Sequence, residues 1–176
     1  SSCYYKMFEG CTSLTQAPAL PATRMCVYCY QSMFSGCTSL TQAPALPATS
    51  LESSCYYKMF EGCTSLTQAP VLPATRIVYD SYENMFRGCT NLSEIKVSFT
   101  DWIDGSTYEW VRNVAPAGTF ICSKALPLTY GVSRIPEGWT VIYVEDINYL
   151  TFTAEEDSSS FGIVNMNNNP DVQYSL

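Results

Sequence analysis

Nine cysteines and no histidine bound the chemistry open to this 176-residue chain. Without an imidazole, the Ser–His and Cys–His pairs that activate a nucleophile cannot be assembled. Zinc loses its nitrogen ligand, and the one close cysteine pair, Cys26-Val27-Tyr28-Cys29, has no second pair at matching spacing. That pair reads no better as a redox motif, because Glu52 occupies the place of Cys26 in the next related segment. Carboxylates can do acid–base work, but Glu155, Glu156 and Asp157 are adjacent in a serine-rich stretch and point to different sides, as in a solvated loop. Asp101-Trp102-Ile103-Asp104-Gly105 lacks the third ligand and the distant Glu of a calcium loop, and reads as a turn. No catalytic residue, metal or cofactor is expected, and the chain is read as a non-enzyme.

The cysteines instead mark a repeat. Met7-Phe8, Met33-Phe34, Met59-Phe60 and Met85-Phe86 recur at a step of 26 residues, each followed by Gly-Cys-Thr. Residues 3–24 and 55–76 differ only at Ala19 and Val71. A fixed step of this size marks a solenoid, whose units bury their apolar faces against one another. Cys11, Cys37, Cys63 and Cys89 fall in one column, and Cys3, Cys29 and Cys55 in a second, where the fourth unit carries Ser81. A bridge within each unit would leave Cys89 unpaired, so both columns are read as a buried structural ladder of small apolar thiols.

Within a unit, Thr49 and Ser50 are good helix N-caps. Leu51, Cys55 and Met59 follow at i, i+4, i+8, as do Met25, Cys29 and Met33, and Gly36 or Gly62 closes the segment. A short helix per unit is therefore expected. A strand follows, clearest where Ile95, Val97 and Phe99 alternate with Lys96 and Ser98. Ala17, Ala43 and Ala69 occupy the same column earlier, next to Pro18, Pro44 and Pro70, which cannot donate to a ladder. The expected fold is an α/β leucine-rich-repeat-like solenoid, with a short helix and a short parallel strand in each coil, followed by a small β-rich C-terminal region.

The pattern Met-Phe-x-Gly-Cys-Thr-x-Leu at this step resembles the BspA-like leucine-rich repeats of bacterial surface proteins, and it covers about residues 1–99. The Ala-Pro-Ala-Leu-Pro-Ala-Thr run departs from the more regular strand of many relatives. The resemblance implies extracellular display and adhesion-type binding to a host protein or glycan, with no catalytic residues to carry over.

Past residue 99 the texture changes. Three tryptophans lie here, and residues 96–176 hold most of the net charge of −7. A cap-like α+β module is expected over residues 100–145, with a short amphipathic helix from Asp101 to Val111 and strands at 118–122 and 139–144. Residues 146–176 read as an incomplete Ig-like β segment, with a strand over 148–154. The run from Gly118-Thr119-Phe120 to Ile135-Pro136-Glu137-Gly138-Trp139 also resembles a segment that follows such repeats in surface proteins of gut anaerobes and their phages, which makes a virion appendage the alternative location. An accessory module of a carbohydrate-active enzyme is a remoter alternative. The first repeat is as regular as the third, although a terminal unit is as a rule atypical, so the chain is expected to continue beyond both ends.

Composition narrows the partners. The acidic balance argues against nucleic acid, which needs a basic face. No apolar run approaches the length of a membrane span. The columns Tyr4, Tyr30, Tyr56, Tyr82 and Gln16, Gln42, Gln68 are the candidate ligand contacts, the tyrosines also being suited to packing between units.

Overall fold

The computed structural model describes residues 4–146, 151–153 and 162–164. Along each Met-Phe segment the backbone turns left-handed at every fourth residue: Tyr28, Ser32 and Gly36, then Ser54, Lys58 and Gly62, then Asp80, Asn84 and Gly88, all with φ between 53° and 76°. A right-handed helix needs an unbroken run of negative φ, so no helix can form there. The amide hydrogen bonds show what forms instead. Met59 N–H donates to Tyr56 at 3.1 Å, Glu61 to Lys58 at 3.2 Å and Cys63 to Phe60 at 3.1 Å, closing tight turns inside the coil. The amides between them reach across to the next coil: Lys58 to Glu83 at 2.9 Å, Phe60 to Met85 at 2.9 Å and Gly62 to Arg87 at 2.8 Å. Each non-glycine residue held at positive φ costs about 1–2 kcal/mol, and this alternating ladder offsets it.

The helix-plus-strand solenoid expected from the sequence is thereby overturned. The described residues contain no α-helix, only a three-residue 3-10 turn at Val144–Asp146 and short strands. The fold is small and strand-rich. Strands β1 (Glu94–Lys96), β2 (Thr119–Cys122) and β3 (Thr140–Tyr143) form a parallel sheet in that order, with Ile95 opposite Phe120 and Phe120 opposite Val141. In the earlier coils the sheet dwindles to single parallel bridges, Gln16 to Gln42, Arg24 to Ser50 and Gln68 to Glu94. Pro18, Pro44 and Pro70 withhold the donors that would extend them.

The helix expected from Asp101 to Val111 is also absent. Residues 105–113 repeat the left-handed spacing at Gly105, Glu109 and Asn113 and bond to the fourth unit as a fifth turn segment. Tyr82 N–H donates to Ser106, Asn84 to Tyr108 and Phe86 to Trp110, each at 2.9 Å. Asn113 stands in the column of Gly10, Gly36, Gly62 and Gly88. A Cβ built on Gly36 or Gly88 would make only ordinary contacts of 3.6 Å or more, so φ, not space, selects glycine there, and asparagine is the residue that tolerates the same φ best.

The chain divides into Ser1–Val144 and Glu145–Leu176. The first unit holds a core of stacked columns. The Phe8, Phe34, Phe60 and Phe86 rings lie 5.5–5.8 Å apart and nearly parallel. Leu40, Leu66 and Leu92 are fully buried beside them. Trp110 ends the stack, 6.2 Å from Phe86 and 6.4 Å from Tyr82. In the second unit, β4 (Thr151–Thr153) pairs antiparallel with β5 (Gly162–Val164). The Glu155–Asp157 loop and the last residues of the chain lie outside the described residues.

Candidate binding surface

The tyrosine column faces inward. Tyr30, Tyr56 and Tyr82 are at most 2% exposed, while Tyr4, in the first coil, is 50% exposed. Their rings stack at 5.5–6.1 Å. Three of the four candidate ligand contacts therefore have no surface to offer a ligand and serve as core. The hydroxyls of Tyr56 and Tyr82 are buried with no hydrogen-bond partner, and burial pushes both phenols well above their usual pKa. The glutamine column lies outside: Gln16, Gln42 and Gln68 are all exposed and keep register through the isolated bridges. Beside them Thr41 turns its hydroxyl back to Thr15 O at 3.2 Å, which leaves the glutamines as the freer polar groups of that face.

A second aromatic column, unlike the first, is open to solvent. Lys6 N–H donates to Gln31 O, Ser32 to Tyr57 O, Lys58 to Glu83 O and Asn84 to Tyr108 O, all within 2.8–3.0 Å. These bonds align Tyr5, Gln31, Tyr57, Glu83 and Tyr108. Tyr5 and Tyr108 are exposed and Tyr57 is half-buried. Tyr108 escapes a search at a step of 26 because the fifth coil is a residue shorter. Its signal is the Gly105-x-x-x-Glu109-x-x-x-Asn113 spacing. A charged row accompanies this column, in which Lys58 pairs with Glu61 at 3.4 Å, Arg87 with Glu109 at 3.5 Å, and Arg112 with Glu109. Such exposed pairs contribute about 0–1 kcal/mol each, so the row shapes the surface more than it stabilises the fold.

The Glu83 carboxyl in this column has a displaced titration. Partial burial, then a hydrogen bond and repulsion from Asp80, push it up to about 7, against the opposing pull of Lys58. A carboxyl raised on folding binds its proton more tightly in the native state, so stability falls as pH rises from 4.5 through about 7. Unfolding midpoints of Glu83→Gln and the parent protein are expected to differ in pH response. The parent should lose stability between pH 5 and pH 8 and the variant should lose less. Parallel pH profiles would show that Glu83 does not carry the effect.

In the first cysteine column Cys37, Cys63 and Cys89 are buried, whereas Cys11, expected to be buried with them, is exposed in the first coil. The thiols of Cys37, Cys63 and Cys89 donate to the carbonyls of Phe8, Phe34 and Phe60 in the preceding coil at 3.0–3.1 Å. Cys29 and Cys55 are buried in the second column, and Cys3 lies outside the described residues. None of the described cysteines forms a disulfide. Burial pushes the Cys55 and Cys63 thiols up to about 12, whereas Cys11 and Cys26 are exposed. In the folded protein a thiol-specific reagent at neutral pH should label Cys11 and Cys26 within minutes, and Cys55, Cys63 and Cys89 only after denaturation. Peptide mapping of labelled sites checks this.

Among the described residues no group of cysteine and carboxylate side chains is placed to hold a metal ion. Cys26 is exposed and Cys29 buried, at the two ends of a tight turn. Asp101 caps its neighbour Trp102 N–H at 2.8 Å, a local contact as in a turn, and Asp104 forms an exposed ion pair with Arg134 at 3.4 Å. An open cleft between residues 111, 113–116, 131, 132, 136 and 137 has Asn113 and Glu137 as its hydrogen-bonding side chains. No helix of the described residues is long and apolar enough to cross a membrane. No family model matches the chain, and no curated protein or solved structure is significantly similar to it.

Proposed function

We propose that the chain is a non-catalytic binding or spacer module of a bacterial cell-surface protein, displayed outside the cell and related to the BspA-like repeats. The observation that carries the reading is the repeated outer surface: exposed Gln16, Gln42 and Gln68 in one row and Tyr5, Tyr57 and Tyr108 in another, on a stack with a continuous core. A surface that presents the same group at a fixed step suits a long or repetitive ligand on a host protein, glycan or cell surface. The acidic charge and the missing imidazole fit this role better than catalysis or nucleic-acid binding. The test is adhesion of the purified, fluorescently tagged protein to host epithelial cells and to immobilised matrix proteins and glycans. Saturable binding competed by untagged protein is the expected result. Absence of binding to all of them would remove the adhesive role and leave a spacer.

A further inference from the structure

We infer that the outer tyrosine column is a stacking platform for an extended, neutral, equatorially linked pyranose chain, laid along the axis of the coils. This inference rests on the binding-module reading above and names its ligand class. The first argument is period. Tyr5, Tyr57 and Tyr108 alternate with Gln31 and Glu83, so an aromatic ring recurs every second coil. Neighbouring coils are about 4.8 Å apart along the ladder, and rings of the inner column stack at 5.5–6.1 Å. Tyrosines two coils apart are thus separated by roughly 10–12 Å. In an extended equatorially linked polysaccharide, successive rings are flipped, and like faces recur once per disaccharide at close to that length. An axially linked chain curls and does not keep this step.

The second argument is chemistry. Pyranose rings present C–H faces that pack on aromatic rings, with hydroxyls around their rims. Gln31 and Glu83 lie in the column between the tyrosines, where those hydroxyls need partners. Lys6 and Lys58 sit 5.5 Å from the centroids of Tyr5 and Tyr57, and each lysine is paired with Glu9 or Glu61 at 3.0 and 3.4 Å. Each ammonium lies over its ring, so the lysine, paired with its glutamate, swings off that face as the pyranose takes it. The third argument is charge. Beside the column Lys6, Lys58, Arg87 and Arg112 are each paired with a glutamate, which leaves that row close to neutral with no unpaired cation to hold a polyanion, so the fitting polymer is neutral.

The experiment is calorimetric titration of the protein with cellohexaose and chitohexaose, with maltohexaose as the axially linked comparison, and adhesion to host cells measured in parallel. At least one equatorially linked hexamer is expected to bind, with maltohexaose at least about tenfold weaker. Tyr57→Ala should weaken binding about fivefold. Tyr79→Ala, which removes an exposed ring outside the column, should leave it unchanged. Failure of both equatorially linked hexamers to bind, equal binding of maltohexaose, or equal losses in the two variants would each overturn the proposal. Cell adhesion that persists while the hexamers fail would leave the binding-module reading standing, and loss of both would remove the two together.

Discussion

Trp110→Ala is expected to lower stability by about 3–5 kcal/mol, the range for removing a large aromatic from a packed core. Trp110 has no exposed surface and meets Tyr82, Phe86, Phe99, Trp102 and Phe120 at ring distances of 6.2–6.4 Å. It is where the tyrosine and phenylalanine columns converge, so its loss uncovers both. Its indole N–H also donates to Arg134 O at 2.8 Å, tying the fifth turn segment to the segment after it. Chemical denaturation followed by tyrosine fluorescence and circular dichroism measures the effect. A Trp110→Phe variant should recover most of the packing but not the hydrogen bond, and so fall between. A loss below 1 kcal/mol for Trp110→Ala would mean that the columns do not depend on this end of the stack.

Gly118→Ala should be nearly as damaging, for a steric reason. A Cβ at this position would stand 2.4 Å from Ser93 O and 2.8 Å from the Trp139 ring. The first contact is backbone and cannot move aside without breaking the bond from Thr119 N–H to Ser93 O at 2.8 Å, where β2 begins. Trp139 is held by its own indole N–H on Ala115 O at 2.8 Å. Overpacking of this kind costs about 1–3 kcal/mol, with the lost ladder bond in addition. Gly131→Ala is the matched control, since nothing lies within 4 Å of its Cβ position, although its φ of 133° adds strain of its own. Thermal unfolding of the two variants should place Gly118→Ala well below Gly131→Ala. The reverse order would show that the close approach at Gly118 relaxes easily.

The tyrosine columns show how far sequence could lead toward the candidate site. Spacing put Tyr4, Tyr30, Tyr56 and Tyr82 in register, and Tyr5 and Tyr57 adjoin two of them in the chain, but spacing could not say which side faces solvent. Adjacent residues point to different sides whatever the local structure, and only the coil geometry decides which side is inside. Tyr108 stayed hidden because the fifth coil shortens its step and replaces methionine by Trp110. The glutamine column was legible because it adjoins prolines and threonines in segments with few large apolar residues.

The helix was misread for a definite reason. Leu51, Cys55 and Met59 are all buried, as an i, i+4, i+8 face requires, but Tyr56, Phe60 and Cys63 are buried too. A helix of 3.6 residues per turn drifts about 40° with every four residues, so it cannot keep a strict period of four facing one way. A backbone that resets at a left-handed residue every fourth position can. Serine and lysine at Ser54 and Lys58 carry no warning of positive φ, since in isolation each would avoid it.

By itself the sequence determined the repeat, its step, the identity of the stacked columns and the strands read at 118–122 and 139–144, which form at 119–122 and 140–143, because these follow from which residues recur and how apolar they are. The tertiary structure decided the path of the backbone within each coil and which aromatic column meets water. Both are fixed by hydrogen bonds between residues about 25 positions apart, such as Phe60 N–H to Met85 O. Local propensity carries no record of those bonds, and only they make a left-handed residue at every fourth position tolerable.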